Sequence, residues 1–295
     1  MKMPEISVII LVFNTGIILK ETIDSVIAQT FSDFEVIIVD DGSSDSITID
    51  VLKSQDDHRI RIIHQVNSGV AAARNRGIAE ARGKYVSFLD HDDLYLPDKL
   101  EVLKSLLDET PDAVLAYSPV IPFGENVSRF IKFGVVDYLT YHQLLQHNLI
   151  YSTSCVMVKK EPIERYNIRF DNLCVPCDDW DFYLQLSRAG VCRCADIPLV
   201  KYRMFAGNQS RNLSVMYQAG LNVMRKYRRK TSIFSDISGF LAICRSFCEY
   251  HYGYAFFCIR NGKCTESIKH LFLGYINNPF SMKPWRFLFK KLFYR

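Results

Sequence analysis

Tyr85-Val86-Ser87-Phe88-Leu89-Asp90-His91-Asp92-Asp93 is an apolar run of strand character that stops on a cluster of carboxylates. A strand in the middle of a packed sheet reads as a continuous apolar run, so Tyr85, Val86, Phe88 and Leu89 belong in a core and Asp90, Asp92 and Asp93 emerge at the strand's carboxyl end. Open α/β sheets bind ligands at that end. Clustered acidic groups repel one another unless something positive neutralises them, and hard oxygen donors suit Mg2+ or Mn2+. The competing reading is a solvated loop that leads into the helix start at Leu96-Pro97-Asp98.

Working outward, the same pattern recurs. Ile6 to Phe13 is a β-branched and aromatic run ending at Asn14, after which Leu19, Ile23, Val26 and Ile27 recur at helical spacing. Phe34 to Val39 repeats it and stops on Asp40-Asp41-Gly42-Ser43-Ser44-Asp45, a turn-rich acidic loop, before a short helix toward Leu52. Ile60 to His64 is a third strand, and Gly69 to Ala81 is an alanine-rich helix able to lie close on a sheet. Strands alternating with helices through short connections predict an α/β fold, a mostly parallel sheet with helices on both faces and a Rossmann-like first half.

Beyond it, Leu100 to Leu107 is helical, Ala113 to Val120 a strand, Tyr141 to His147 a short helix and Ser154 to Val158 another strand. Asp178 to Arg188 is a helix with acidic residues in its first turn, ended by Gly190. From Asn212 the pattern is helical: Ser214 to Arg229, Ile237 to Arg260 and Thr265 to Tyr275. The chain thus divides into 1–210 and a helical 211–295.

Charge divides it at the same place. Of 295 residues close to half are apolar, enough for one large domain with an appendage, and a disordered class is excluded. Residues 1–210 carry 21 Lys+Arg against 29 Asp+Glu, whereas 211–295 carry 15 against 3, so the +4 total hides an acidic body and a basic tail. The tail's partner is expected to be anionic. The amino end runs straight into a strand without the layout of a signal peptide, and no stretch is long and apolar enough for a membrane span, so a cytoplasmic location is expected. Nine cysteines in such a chain are expected to be reduced. Cys174-Val-Pro-Cys177 with Cys192-Arg-Cys194 could supply four thiolates to zinc, but the second pair lacks the usual spacing.

Six pieces then carry a resemblance: Ile6-Ser7-Val8-Ile9-Ile10; Ser25-Val26-Ile27-Ala28-Gln29-Thr30; Glu35 to Ser43 with its Asp40-Asp41-Gly42; Ala73-Arg74-Asn75; Leu89-Asp90-His91-Asp92-Asp93; and Asp178-Asp179-Trp180-Asp181. In this order and spacing, over residues 5 to 210, the chain resembles family 2 glycosyltransferases of the GT-A fold, whose inverting members move a sugar from a nucleotide diphosphate sugar to an acceptor hydroxyl. The resemblance implies that Val12, Asn14, Asp41, Asn67, Arg74 and Asp90 bind the nucleotide sugar, with Asp41 accepting from the base and Asp90 toward the ribose. Asp92 would bind Mn2+ or Mg2+ in an Asp-X-Asp motif, and Asp179 would be the catalytic base. Asp40, Asp93, Asp178, Trp180, Asp181 and Arg203 would support them. His91, between acids, is expected to be exposed and not a ligand. Helix capping is the plainer role open to Asp178, and turn chemistry to Asp41.

Leu11 and Phe13 stand where the family often has proline and tyrosine, and Phe205 follows Tyr202-Arg203-Met204 where histidine is common, which bears on a contact to metal or diphosphate. The Gln-X-X-Arg-Trp motif of processive synthases is absent, so single-sugar transfer is expected, on a glycan or lipid-linked glycan acceptor. The favoured nucleotide, by family habit, is uridine diphosphate. Lys226-Tyr-Arg-Arg-Lys230 and the stretch from Lys283 to Arg295 mix cations with aromatics, the composition of a segment seated on anionic lipid at the inner face of the cell membrane. A helical pair with a solvated basic face is the plainer alternative, and no nucleic-acid module is present. A nucleotidyltransferase and a catalytically silent nucleotide-sugar-binding or assembly protein are the rival functions.

Overall fold

The computed structural model describes residues 3–125, 127, 136–205, 207–230, 236–279 and 281. Its elements run β1 (Ile6–Val12), α1 (Ile18–Ile27), β2 (Phe34–Asp40), α2 (Ser46–Lys53), β3 (Ile60–His64), α3 (Val70–Glu80), β4 (Tyr85–Asp90), β5 (Leu94–Tyr95), α4 (Lys99–Glu109), β6 (Ala113–Tyr117) and β7 (Val120–Gly124). They continue with β8 (Tyr138–Leu139), α5 (Tyr141–Gln146), β9 (Val156–Lys159), α6 (Lys160–Arg165), α7 (Asp178–Leu186), β10 (Val191–Cys194) and β11 (Val200–Met204). Three helices close the described chain: α8 (Leu213–Arg228), α9 (Ile237–Arg260) and α10 (Cys264–Asn277).

Two compact units form. The first comprises Met1–Tyr141 with Leu149–Gly207, the second His142–Asn148 with Asn208–Arg295. In the first, eight strands lie in the order β3-β2-β1-β4-β9-β6-β10-β8, and β5-β11-β7 make a small second sheet. β3, β2, β1 and β4 are parallel, and β9 enters antiparallel between β4 and β6. Every residue of β1 and β2 is buried, as expected of strands covered on both faces. The even face of β1 (Ile6, Val8, Ile10, Val12) packs on Leu19, Ile23 and Val26 of α1 and Leu100, Leu103 and Leu107 of α4. On the other face α3 comes so close that a Cβ on Gly77 would lie 2.4 Å from Ile9 Cγ2, so the small residues of that helix set its seat on the sheet.

Some boundaries differ from the sequence reading. Ala113 to Val120 is two strands in two sheets, parted at Ser118-Pro119, where proline has no N–H for the ladder. Thr153–Cys155 is a 3-10 turn capped by Ser152, so the strand that follows starts at Val156. The stretch Lys283 to Arg295, and part of the 122–141 loop, lie outside the described residues.

In the second unit, α9 packs with α10 and with α8. The Tyr217 ring stacks on Tyr254 at 4.0 Å, and its hydroxyl bonds to His251 and His270. Among the described residues no helix is long and apolar enough to cross a membrane. All nine cysteines are free thiols.

Candidate active site

Strand order reverses beside β1 and β4, and the acidic residues gather at the carboxyl ends of β2 and β4, which flank β1. The first wall is the β1 end. Val12 is buried and its carbonyl accepts from Asp41 N at 2.8 Å. Asn14 takes a left-handed backbone, donates N–H to Ser43 Oγ, and accepts on Oδ1 from the amides of Ser44 and Asp45. Asp40 accepts from Ser43 N and bonds to His64 Nδ1 at 2.8 Å. Asp41 is buried, and its two oxygens accept from Gln65 Nε2, Ser68 N and Gly69 N at 2.7–2.9 Å. Its carboxylate therefore shapes the 65–69 loop, which brings exposed Asn67 over Gly42, whose added Cβ would meet Asn67 N at 3.0 Å. Phe13 is exposed at this rim and Leu11 is buried beneath it.

The second wall is the end of β4. Asp90 Oδ1 accepts from Arg74 Nη2 at 3.0 Å and from Thr153 Oγ1 at 3.1 Å, and its amide donates to Ser154 Oγ. His91 and Asp92 are half-buried, so His91 is less open than the sequence alone suggests. Burial raises the proton affinity of Asp92, opposed by the nearby His91. Asp93 turns inward. It is fully buried, accepts from Arg203 N at 2.9 Å, and burial followed by the charges of Asp92 and Asp90 pushes its carboxyl well above the usual range. The loop is held from two sides: Thr22 Oγ1 donates to the carbonyls of His91 and Asp93, and Arg203 Nε to that of Asp92. Arg203 also reaches Glu21 at 2.7 Å and lies over the Phe123 ring, so it braces the acidic turn. The Phe205 ring lies against Gly207.

The third wall is α7. Its first turn carries Asp178, Asp179 and Asp181, and Trp180 is buried beside them. Asp178 is an ion-pair partner: its Oδ2 meets Arg74 Nη1 at 2.7 Å. Arg74 is thus a buried bridge from α3 to both α7 and β4, lying 5.3 Å over the Phe170 ring. Phe170 stacks on Phe182 of α7 at 4.0 Å, and Phe88 of β4 meets both edge-on, which seats the helix against the strand. Asn75 clamps the same loop with paired hydrogen bonds to the backbone of Phe170. Asp179 is half-buried, and its Oδ1 accepts from Trp180 N. Burial, and then the charge of Asp178, push its carboxyl up to about 7 against the opposing pull of Arg74. Asp181 is buried and accepts from Gln185.

Arg74, Asp90, Asp178 and Thr153 therefore share one hydrogen-bonded web, with the Asp179 carboxylate in its electrostatic reach. Ser152, Thr153 and Ser154 belong to that web, and sequence reading missed them, having only a short polar run before a strand to go on. The four-thiolate arrangement does not form among the described residues. Cys174 instead lies near Asp171 and Asp181, within 4.8 Å.

Chemically, the ensemble offers a hard oxygen donor at Asp92, a hydrogen-bonded acidic turn at residues 40–45, and a carboxylate whose raised proton affinity suits a general base.

Comparison with known proteins bears on the family and the fold. The family model described as glycosyl transferase family 2 matches residues 7–166. An uncharacterized glycosyltransferase of Rickettsia bellii is 31% identical over 220 residues, 72% of this chain and 31% of that protein. TuaG of Bacillus subtilis, described as a candidate teichuronic acid biosynthesis glycosyltransferase, is 36% identical over 174 residues, 56% of this chain and 68% of its own. The chain spans less than a third of the length of the Rickettsia relatives it matches. Among solved structures, Staphylococcus aureus TarS 1-349 in complex with UDP-GlcNAc superimposes with a TM-score of 0.68 at 17% identity, over 85% of this chain and 73% of that one. The mannosyltransferase PcManGT from Pyrobaculum calidifontis, in complex with GDP-Man and Mn2+, gives 0.60 at 16% identity over 95% and 88%. These likenesses show a shared GT-A fold, and with the family match over more than half its length the chain belongs to glycosyltransferase family 2.

Proposed function

We propose that this chain moves a single hexose or N-acetylhexosamine from a nucleotide diphosphate sugar, a uridine diphosphate sugar by preference, to an acceptor hydroxyl with inversion at the anomeric carbon. The observation that carries this reading is Asp179, a carboxylate raised to about 7 by burial and by Asp178, beside the web that joins Arg74 to Asp90. In the proposed reaction the acceptor oxygen attacks the anomeric carbon, its proton passes to Asp179, and the bond to the diphosphate oxygen breaks. Arg74 holds Asp178 and Asp90 in place without taking part in proton transfer. Val12, Asn14, Asp41 and Asn67 form the wall against which the nucleoside lies.

Asp92 fits a divalent cation, because a half-buried carboxylate at an acidic turn offers the hard oxygen donor that Mg2+ or Mn2+ takes. Asp90 stands beside it, tied to Arg74 and Thr153, and Asp93 faces inward. Such an ion would supply charge neutralisation for the departing diphosphate. The product is a surface glycan or polysaccharide, a role supported by the likeness to TuaG, and the acceptor is a glycan or a lipid-linked glycan. The basic tail places the enzyme on the anionic inner face of the cell membrane, an attachment supported by the excess of 15 Lys+Arg over 3 Asp+Glu in residues 211–295.

The test is a thermal-shift panel of nucleotide sugars with Mn2+ or with chelator, paired with donor hydrolysis. A bound donor raises the melting temperature by mass action, and this rise should need the metal and vanish in Asp92→Asn. A donor response unchanged by chelator and by Asp92→Asn would overturn the metal assignment, and binding without any turnover would favour the silent protein.

A further inference from the structure

α10 is built inside out. A helix on a protein surface normally turns its large apolar side chains inward and its small or polar ones out. Here the two fully buried residues, Ser267 and Gly274, are small, while Leu271 and Leu273 are only half-buried. Ser267 is buried and donates Oγ to the Ala255 carbonyl at 2.9 Å, and His270 bonds to Tyr217. Gly274 is packed so tightly that a Cβ there would lie 2.4 Å from the Tyr252 ring. The opposite face carries Ile268, Phe272, Tyr275 and Ile276, which are 67%, 63%, 48% and 58% exposed. At 3.6 residues per turn these four fall in one arc of about 100°. Exposed Lys269 borders that arc.

We infer that this outward face of α10 is a seat for an anionic lipid surface, with Ile268, Phe272, Tyr275 and Ile276 entering the boundary between headgroups and acyl chains. This rests on the membrane attachment proposed above and deepens it: attachment there rests on charge in the tail, whereas α10 supplies the apolar contact. Two observations select lipid. Charge complementarity is the first, since the helical region carrying this face holds 15 Lys+Arg against 3 Asp+Glu. A second copy would bring the same excess of cations to this region, whereas an anionic lipid surface brings the opposite charge. The second is where the chain goes next. Directly after α10 the sequence continues into residues 282–295, where Lys283, Arg286, Lys290 and Lys291 alternate with Trp285, Phe287, Phe289 and Phe293. An exposed apolar helix face followed in sequence by a cationic aromatic stretch has the composition of an interfacial segment.

The experiment is vesicle flotation of the full chain on phosphatidylcholine alone and on phosphatidylcholine mixed with phosphatidylglycerol. Donor turnover on a soluble acceptor and the mass in solution are measured alongside. The parent should partition onto the anionic vesicles. The double variant Ile268→Ser with Phe272→Ser should lose about tenfold or more of that partitioning, because each side chain forfeits its apolar transfer. Lys269→Glu should weaken binding to anionic vesicles while keeping the apolar face. Both variants should keep the parent's melting temperature and its soluble-acceptor turnover, since the altered residues are exposed and remote in sequence from the acidic motifs. Vesicle binding undiminished in the double variant would overturn the inference and leave the basic tail as the anchor. A parent dimer that the double variant dissolves would assign the face to a second copy. Loss of turnover in the parent itself would count against the transferase reading alone.

Discussion

In the proposed reaction Asp179 is the base, and its environment predicts a pH dependence with two opposite signs. Its carboxyl rises from an ordinary 3.8 to about 7 through burial and the charge of Asp178. A base must be deprotonated, so turnover at saturating substrates should climb as pH passes through about 7 and level off above it. Stability runs the other way. Between the ordinary value and 7 the folded protein binds the proton more tightly than the unfolded chain, so this group's contribution falls as pH rises through that window and is most unfavourable above 7. Asp179→Asn should therefore melt higher than the parent at pH 8, by about 2 °C or more, with the difference closing near pH 4. Equal melting temperatures at both pH values would contradict the assigned environment. At this scale the sequence was informative where residue chemistry is local. Asp40 and Ser43 read as turn residues and do make the turn. It was silent where a partner is remote: that Asp41 accepts from Gln65, Ser68 and Gly69 depends on which strands become neighbours.

At the scale of elements, α3, β4 and α7 are joined through one guanidinium. Arg74 is buried and pairs with Asp90 at 3.0 Å and Asp178 at 2.7 Å, while Asn75 and the Phe88, Phe170 and Phe182 rings fasten the same three elements. Removing one partner of a buried ion pair leaves charge uncompensated. Arg74→Leu should lower unfolding stability by about 3–5 kcal/mol in urea titration. Arg74→Leu together with Asp178→Asn should recover part of that loss, because the neutral amide no longer needs a cation. A single variant as stable as the parent would show that the bridge does not hold the elements. The Ala-Arg-Asn tripeptide was recognisable in the sequence, yet its bridging role was not, because the partners lie 16 and 104 residues away. Strands and helices with strong periodicity were legible, including α9 over the same Ile237–Arg260 span. The division of Ala113 to Val120 between two sheets was not, since the stretch is apolar on both sides of the break and only Pro119 marks it. Nor was the antiparallel entry of β9, which period-two patterning does not encode.

At the scale of the whole chain, an acidic α/β body and a basic helical region are joined in one polypeptide, a partition already visible in the charge count. The proposed division of labour is that the body carries the reaction and the helical region carries location, so changes in α10 should leave turnover on soluble acceptor intact. The account stands or falls on proton transfer to Asp179. The measurement that tests it is single-turnover transfer of a labelled sugar, with the donor found by the panel and at saturating donor and acceptor, in the parent and in Asp179→Asn, beside a separate donor titration. General-base catalysis contributes about 10²- to 10⁴-fold, so the rate should fall by that amount while donor affinity stays within a few-fold. A variant that transfers sugar nearly as fast as the parent, or that loses rate only in proportion to donor affinity, would contradict the assignment of Asp179 as the base.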